Sequence, residues 1–135
     1  MPRPLPALDD DNRMFWTGGA DGNLHIQRCD ACRSFIHPPT GVCRNCLSDQ
    51  VSDCPIDGQG TIETYTVNHQ AWAPDLEVPF VIARVALSDA PGVILTTNII
   101  DCDPENVRIG LPVRVTFEKN GEHFIPLFRL ETDAT

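Results

Sequence analysis

The sequence predicts a mainly β protein: a short N-terminal helix, a zinc ribbon clasped by cysteines, then a five-stranded closed barrel of the oligonucleotide/oligosaccharide-binding (OB) type. Two observations carry this. Two C-x-x-C pairs, Cys29/Cys32 and Cys43/Cys46, stand ten residues apart, and from Gly58 onward short β-branched runs alternate with Gly- and Pro-containing breaks. Five short strands in so short a stretch are the pattern of a small all-β barrel or sandwich, and the count fits an OB barrel. The 135 residues hold one ordinary domain, or a small module beside a compact one. The units are expected at 1–22 for the arm and helix, 23–57 for the ribbon and 58–131 for the barrel.

The first eight residues carry three prolines, Pro2, Pro4 and Pro6, and read as an extended arm. Asp9, Asp10 and Asp11 then precede Asn12-Arg13-Met14-Phe15-Trp16. Acidic residues suit a helix start, where they cap free amides and meet the positive end of the dipole. Gly18, Gly19 and Gly22 stop that helix early. Its cluster of Met14, Phe15 and Trp16 is expected to pack on the domain behind it. Strands are expected near 60–67, 80–88, 92–99, 113–118 and 124–130. Asn68 to Pro79, Asp89-Ala90-Pro91, 101–110 and Asn120-Gly121 separate them, the last being a tight-hairpin signal because such turns need positive φ.

Each C-x-x-C turns tightly enough to aim two sulfurs at one point, so the pair of turns supplies a tetrahedron of thiolates. Zn²⁺ suits it, binding soft sulfur without redox chemistry, and iron is the second metal such a site accepts. With Cys29, Cys32, Cys43 and Cys46 all occupied as ligands, the site is structural. The start of the chain lacks the apolar stretch of a secretory signal, so the cytoplasm is the expected compartment, and there paired cysteines serve metals rather than disulfides. Four thiolates and one Zn²⁺ sum to −2, and Arg28, Arg33 and Arg44 flank the ligands to offset it, unless they are merely solvated surface. Cys54 and Cys102 read as buried spare thiols; His25 and His37 read as bystanders.

Charge narrows the function. Ten Lys and Arg face 19 Asp and Glu, a net charge of −9 with a pI near 4.6, a poor balance for a polyanion partner. A single-strand binder would interleave stacking aromatics with cations on its strands, and here only Phe80 and Arg84 do so, with Tyr65 the single tyrosine. No apolar run reaches the roughly 18 residues of a membrane helix. No G-x-S-x-G, phosphate-cradling glycine loop or paired acid/base spacing stands out, and His69 reads as a solvated loop histidine.

The strands add one positive signal. In the second, Val81, Ala83, Val85 and Leu87 share one face, but Phe80, Ile82, Arg84 and Ala86 on the other are also largely apolar. In the third, Val93, Leu95, Thr97 and Ile99 oppose Ile94, Thr96, Asn98 and Ile100. Only one face fills a barrel, so the second is expected to meet a partner chain, an acyl chain or the N-terminal helix. The 71–79 loop presents Trp72, followed by two prolines, Pro74 and Pro79, that keep the loop stiff. Trp72, Phe80, Ile82 and Ile94 are therefore expected to form a dry interface with Asp75 and Glu77 at its rim; the competing view has Trp72 plugging a barrel end.

Taken in order, Phe15-Trp16, Gly22-Asn23-Leu24, the first C-x-x-C, Pro38-Pro39, the second C-x-x-C, Gly58-Gln59-Gly60-Thr61-Ile62 with Tyr65-Thr66, and Gly110-Leu111-Pro112-Val113 with Phe117-Glu118 resemble a family pairing a rubredoxin-like zinc ribbon with an OB-fold, long known as a domain of unknown function. The resemblance spans residues 10–131. One departure is that Arg33 and Leu47 follow the second cysteine of each pair, where glycine is frequent. The resemblance implies a non-catalytic scaffold subunit for thiolases or thiolase-like lipid-transfer proteins acting on acyl-CoA thioesters, including an aldolase of steroid side-chain degradation. It also directs attention to Arg84, Arg108, Arg114 and Arg129 as cations for CoA phosphates, with rim ion pairs to carboxylates as their plain alternative. A nucleic-acid-binding OB module and a stand-alone acyl-CoA-binding protein are the other readings.

Overall fold

A computed structural model describes residues 5–72, 74 and 77–131. Two sheets organise them. A three-stranded antiparallel sheet in the order β2-β1-β3 is built from β1 (Leu24–Cys29), β2 (Phe35–Ile36) and β3 (Val51–Ile56). A closed barrel in the order β4-β5-β6-β8-β7 follows, from β4 (Gln59–Asn68), β5 (Phe80–Leu87), β6 (Ile94–Ile100), β7 (Pro112–Asn120) and β8 (His123–Leu130). The five expected strands all form. The β7–β8 hairpin pairs Asn120 with His123, so its two-residue loop begins at Gly121, whose φ is +63°, rather than at the asparagine.

Alternation decides which side of each strand faces inward. Val81, Ala83, Val85 and Leu87 of β5 are buried, as are Leu95, Thr97 and Ile99 of β6, with Val93 just before it. The opposite residues Phe80, Ile82, Ala86, Ile94, Asn98 and Ile100 are only half-buried. In β8 the alternation fails, and Ile125, Pro126, Leu127 and Phe128 are buried in succession. One face of β8 fills the barrel, while the N-terminal segment packs on the other. Helix cover therefore falls on β8 and leaves the outer face of β5 open.

That segment is α1 (Arg13–Thr17), continued by a 3-10 turn, Gly18–Asp21, that ends in left-handed Gly22. The glycines thus end the α-helix early, as expected: Gly18 is its C-cap, and Gly22 closes the 3-10 turn that follows. The acidic run does not cap α1, however, because Asn12 holds the N-cap position without a side-chain bond. The Asp9 carboxylate instead accepts from the amides of Asp11 (2.9 Å) and Asn12 (2.8 Å), closing the turn before the helix. Phe15 packs on Trp16 and on His37, with ring centroids 4.8 Å apart in both pairs, while Met14 stays exposed.

Sheet and barrel share one core. Leu24, Ile26 and Ile56 from the root of the small sheet join Ile62, Val85, Val113, Val115 and Phe128 of the barrel. Gly58 makes the junction. Its carbonyl accepts from the Val115 amide at 2.8 Å, its φ is +79°, and a Cβ there would overlap Val115 Cγ1. Only glycine meets both requirements. The far end of the small sheet has its own minor core of Cys29, Ile36 and Cys43, with Cys32 and Val51 against it.

Candidate metal centre

Two knuckles of the same design build the cysteine cluster. In the first, the Cys29 amide donates to Ser34 O (2.8 Å) and the Arg33 amide to Cys29 O (3.0 Å); in the second, Cys43 donates to Ser48 O (2.9 Å) and Leu47 to Cys43 O (2.9 Å). This tight return demands a left-handed residue at the fifth position of each loop. Arg33 and Leu47 supply it at φ +69° and +64°, at a cost of about 1–2 kcal/mol each relative to glycine. The departure from glycine seen in the sequence thus leaves the knuckle geometry intact. Arg28 braces the first turn, donating from Nε to Arg33 O at 2.8 Å and stacking over Phe35 at 4.4 Å. It is a structural cation, not mere solvated surface.

The four sulfurs converge as expected. Sγ atoms of Cys29, Cys32, Cys43 and Cys46 all lie within 4.8 Å of one another, with Cys29–Cys46 and Cys32–Cys43 at 3.5 Å. A disulfide needs about 2.05 Å, so these are not disulfides. A tetrahedral ion with bonds of about 2.3 Å to sulfur separates its ligands by about 3.8 Å, which the cluster matches. No other group of three or more metal-ligating side chains converges among the described residues.

The surroundings favour thiolates without allowing all four at once. The Ser34 hydroxyl, 3.2 Å from Cys32 Sγ, and then the Ser34 amide and the Asn45 amide group pull Cys32 down to about 5. The Cys32 amide, 3.4 Å from Cys29 Sγ, lowers Cys29. Cys46 has the Ser48 amide favouring its thiolate, yet the neighbouring Cys29 sulfur, burial, Cys32 and Cys43 together push it up to about 12. A divalent cation removes that last obstacle, since it stabilises every coordinated thiolate. The donor set therefore fits Zn²⁺, held by Cys29, Cys32, Cys43 and Cys46 in a closed structural site.

The histidines are indeed not ligands. His25 lies between Asp21 and Asp53, and His37 packs under Phe15. His69 is exposed on its loop; Cys54 and Cys102 are half-buried.

The four barrel arginines do not converge. Arg114 and Arg129 are cross-strand neighbours on β7 and β8 and line one depression with Asn106 and Leu130, but each faces a carboxylate: Glu131 at 3.3 Å and Asp101 at 3.8 Å. Arg108 lines an adjoining depression that shares Asn106, its guanidinium donating to Glu105 O and Val107 O. Arg84, on β5, sits 3.9 Å from Glu63, the residue at the β-bulge in β4.

Trp72 is 76% exposed and donates from Nε1 to Asn68 Oδ1 at 3.2 Å. It does not plug the barrel. Phe80 and Ile82 lie on the open outer face of β5. Ile94 lies apart from them, lining an apolar groove of about 590 Å³ between β6, β8, Phe15, Trp16 and the 37–39 turn. Asp75 falls outside the described residues, as do residues 73 and 76, whereas Glu77 is exposed.

Comparison with known proteins matches both halves. The family model described as "ChsH2, rubredoxin-like zinc ribbon domain" matches residues 16–52, and that described as "ChsH2, C-terminal OB-fold domain" matches residues 54–118. A chain solved in an "Ltp2-ChsH2(DUF35) aldolase" is 32% identical, with a TM-score of 0.84 over 95% of this chain and 100% of that one. A "Probable enoyl-CoA hydratase alpha subunit" of Thermomonospora curvata is 35% identical over 94% of this chain. The "3-oxo-4,17-pregnadiene-20-carboxyl-CoA hydratase alpha subunit" of Mycobacterium tuberculosis is 36% identical over 83%. This chain spans only 40% and 35% of the lengths of those two proteins.

Proposed function

Because the chain belongs to the ChsH2 (DUF35) family of rubredoxin-like zinc ribbons joined to OB-fold domains, we propose that it is a non-catalytic scaffold subunit of a thiolase-like enzyme acting on acyl-CoA thioesters. The partner is of the lipid-transfer, aldolase-forming kind, and the substrate is a steroid side-chain thioester. One observation carries this reading: the chain covers the whole of a chain solved in an "Ltp2-ChsH2(DUF35) aldolase" at a TM-score of 0.84. The hydratase subunit named for a pregnadiene-carboxyl-CoA supports the substrate class, and a metal site whose four ligands are all cysteines supports a structural role. We place the protein in the cytoplasm; among the described residues no helix is long and apolar enough to cross a membrane. Co-expression with a thiolase-like partner should yield one stable complex that cleaves the thioester side chain. Independent elution of the two chains, or full activity of the partner alone, overturns the proposal.

Within it, the exposed Trp72, with Phe80 and Ile82 on the open face of β5 and Ile94 in the adjoining groove, forms the partner surface. Trp72→Ala is expected to leave the unfolding midpoint of the isolated chain unchanged and to weaken assembly by about 2 kcal/mol or more, read by calorimetric titration against the partner. A fall in stability with unchanged assembly places Trp72 in the fold instead.

Arg84, Arg108, Arg114 and Arg129 serve the CoA phosphates in the assembled enzyme, with Arg114 and Arg129 exchanging carboxylate for phosphate. Replacing all four by glutamine is expected to lower CoA-ester affinity of the complex about tenfold or more, since a charged hydrogen bond contributes roughly 1.5–3 kcal/mol. Unaltered affinity rejects the assignment.

A further inference from the structure

His25 is engaged by nothing in the scaffold reading, yet it is the most completely enclosed ionisable side chain to be doubly ion-paired among the described residues, at 4% exposure. Its Nδ1 lies 2.6 Å from Asp53 Oδ2 on β3, and its Nε2 lies 2.9 Å and 3.1 Å from the two carboxylate oxygens of Asp21 in the 3-10 turn. Its ring lies where a Cβ on Gly18 would be, so the turn closes directly over it. We propose that His25 is a proton-operated latch that fastens the α1/3-10 segment to the ribbon, closed while the imidazole is charged and released at the Asp21 side when it loses its proton.

The chemistry of the ring requires this. Ionised carboxylates only accept hydrogen bonds, so satisfying both at once takes an N–H on each ring nitrogen, and only the imidazolium has two. A neutral ring keeps one N–H and turns a lone pair toward the other carboxylate. Asp53 belongs to a strand paired with β1 through six residue pairs and is 31% exposed, whereas Asp21 sits on a four-residue turn and is 53% exposed. The turn is the side that yields.

Charges around the ring fit a single controlling equilibrium. Asp21 faces it from the turn and Asp53 from β3. Arg13 of α1 is turned to Glu122 at 3.9 Å, and Arg129 and His123 of β8 are engaged with Asp101 and with Pro6 O. From β7, Phe117 fills the space beside Gly19. Burial disfavours the imidazolium, but the bonds to Asp53 and Asp21 outweigh it and raise His25 above its usual 6.5. Asp21, bonded first by the Asn23 amide and then by His25, is held below its usual 3.8. A raised histidine stabilises fully below 6.5 and loses that contribution as pH climbs through its folded value; a lowered carboxylate loses its contribution as pH falls through its own. The latch is thus closed from acid conditions to above pH 6.5 and opens on the alkaline side. What it holds is the seat of Phe15 and Trp16, which wall the apolar groove beside β6 and β8.

Hydrogen exchange on the zinc-loaded full chain, corrected for intrinsic rates, tests this across pH 6 to 10. Protection of residues 13–22 should fall by up to tenfold per pH unit around the His25 midpoint, with barrel amides as the constant internal reference. NMR titration of the ring should place that midpoint above 6.5. Asp21→Asn should abolish the pH dependence while keeping the segment docked, because an amide can donate to the neutral ring. Uniform protection across the range, a midpoint at or below 6.5, or an unchanged pH profile in Asp21→Asn would overturn the latch.

Discussion

Stripping the metal with a strong chelator should unfold residues 29–51 and leave the barrel standing. The far end of the small sheet owns only a minor core of Cys29, Ile36 and Cys43 with Cys32 and Val51, so most of its interior is the ligand set itself. Two left-handed non-glycine residues, Arg33 and Leu47, also oppose the knuckle conformation. Against this, zinc binding contributes on the order of 10 kcal/mol to comparable small sites, comparable to the roughly 5–15 kcal/mol net stability of a whole domain. Leu24, Ile26 and Ile56 belong to the barrel core, so unfolding should stop near them. Amide exchange on the chelated protein, or on Cys43→Ser, should show protection lost across 29–51 and retained in β4–β8. Unchanged protection across the knuckles after complete metal removal refutes the structural role.

The other large effect is expected at Phe128. Its side chain is fully buried, and it pairs with Val115 across the β7–β8 ladder and with Ile99 across the parallel contact where β6 meets β8. That parallel contact holds only two residue pairs, Ile99–Phe128 and Ile100–Arg129, reinforced by the Thr97 hydroxyl donating to Pro126 O at 3.1 Å. Phe128→Ala empties the place where the barrel closes and is expected to cost about 3–5 kcal/mol. Phe128→Leu, which keeps most of the volume, should cost clearly less. Denaturant midpoints of the two variants give the comparison, and equal midpoints would show that packing at the closure does not limit stability.

The barrel was legible because its signals are local. Period-two alternation assigned the inner faces of β5 and β6 residue by residue, and glycines and prolines marked the breaks. The cysteine spacing likewise located all four ligands. The small sheet was not legible: β2 has two residues, and β3 contains Pro55, which reads as a strand breaker but is tolerated on an edge. Those strands exist because the knuckles bring their ends together. The His25 arrangement escaped for a related reason. Asp53 is 28 residues away, and Asp21 reaches the ring only after the glycines fold into a 3-10 turn. The doubly buried β8 was missed because its cover comes from α1, at the opposite end of the chain.

Closure of the barrel also determines how this molecule can be recognised. Although the sheet joins to itself, β6 meets β8 through only two residue pairs and β7 meets β4 through only three, so the backbone left for a visiting strand is confined to those two seams. The small sheet offers little more, with one margin only two residues long and the other carrying Pro55, which lacks an N–H. A neighbour therefore gains only part of its grip from generic main-chain groups that any extended peptide could match. It must read side chains and loops, a vocabulary that distinguishes one partner from another and that a high acidic charge keeps from being answered indiscriminately.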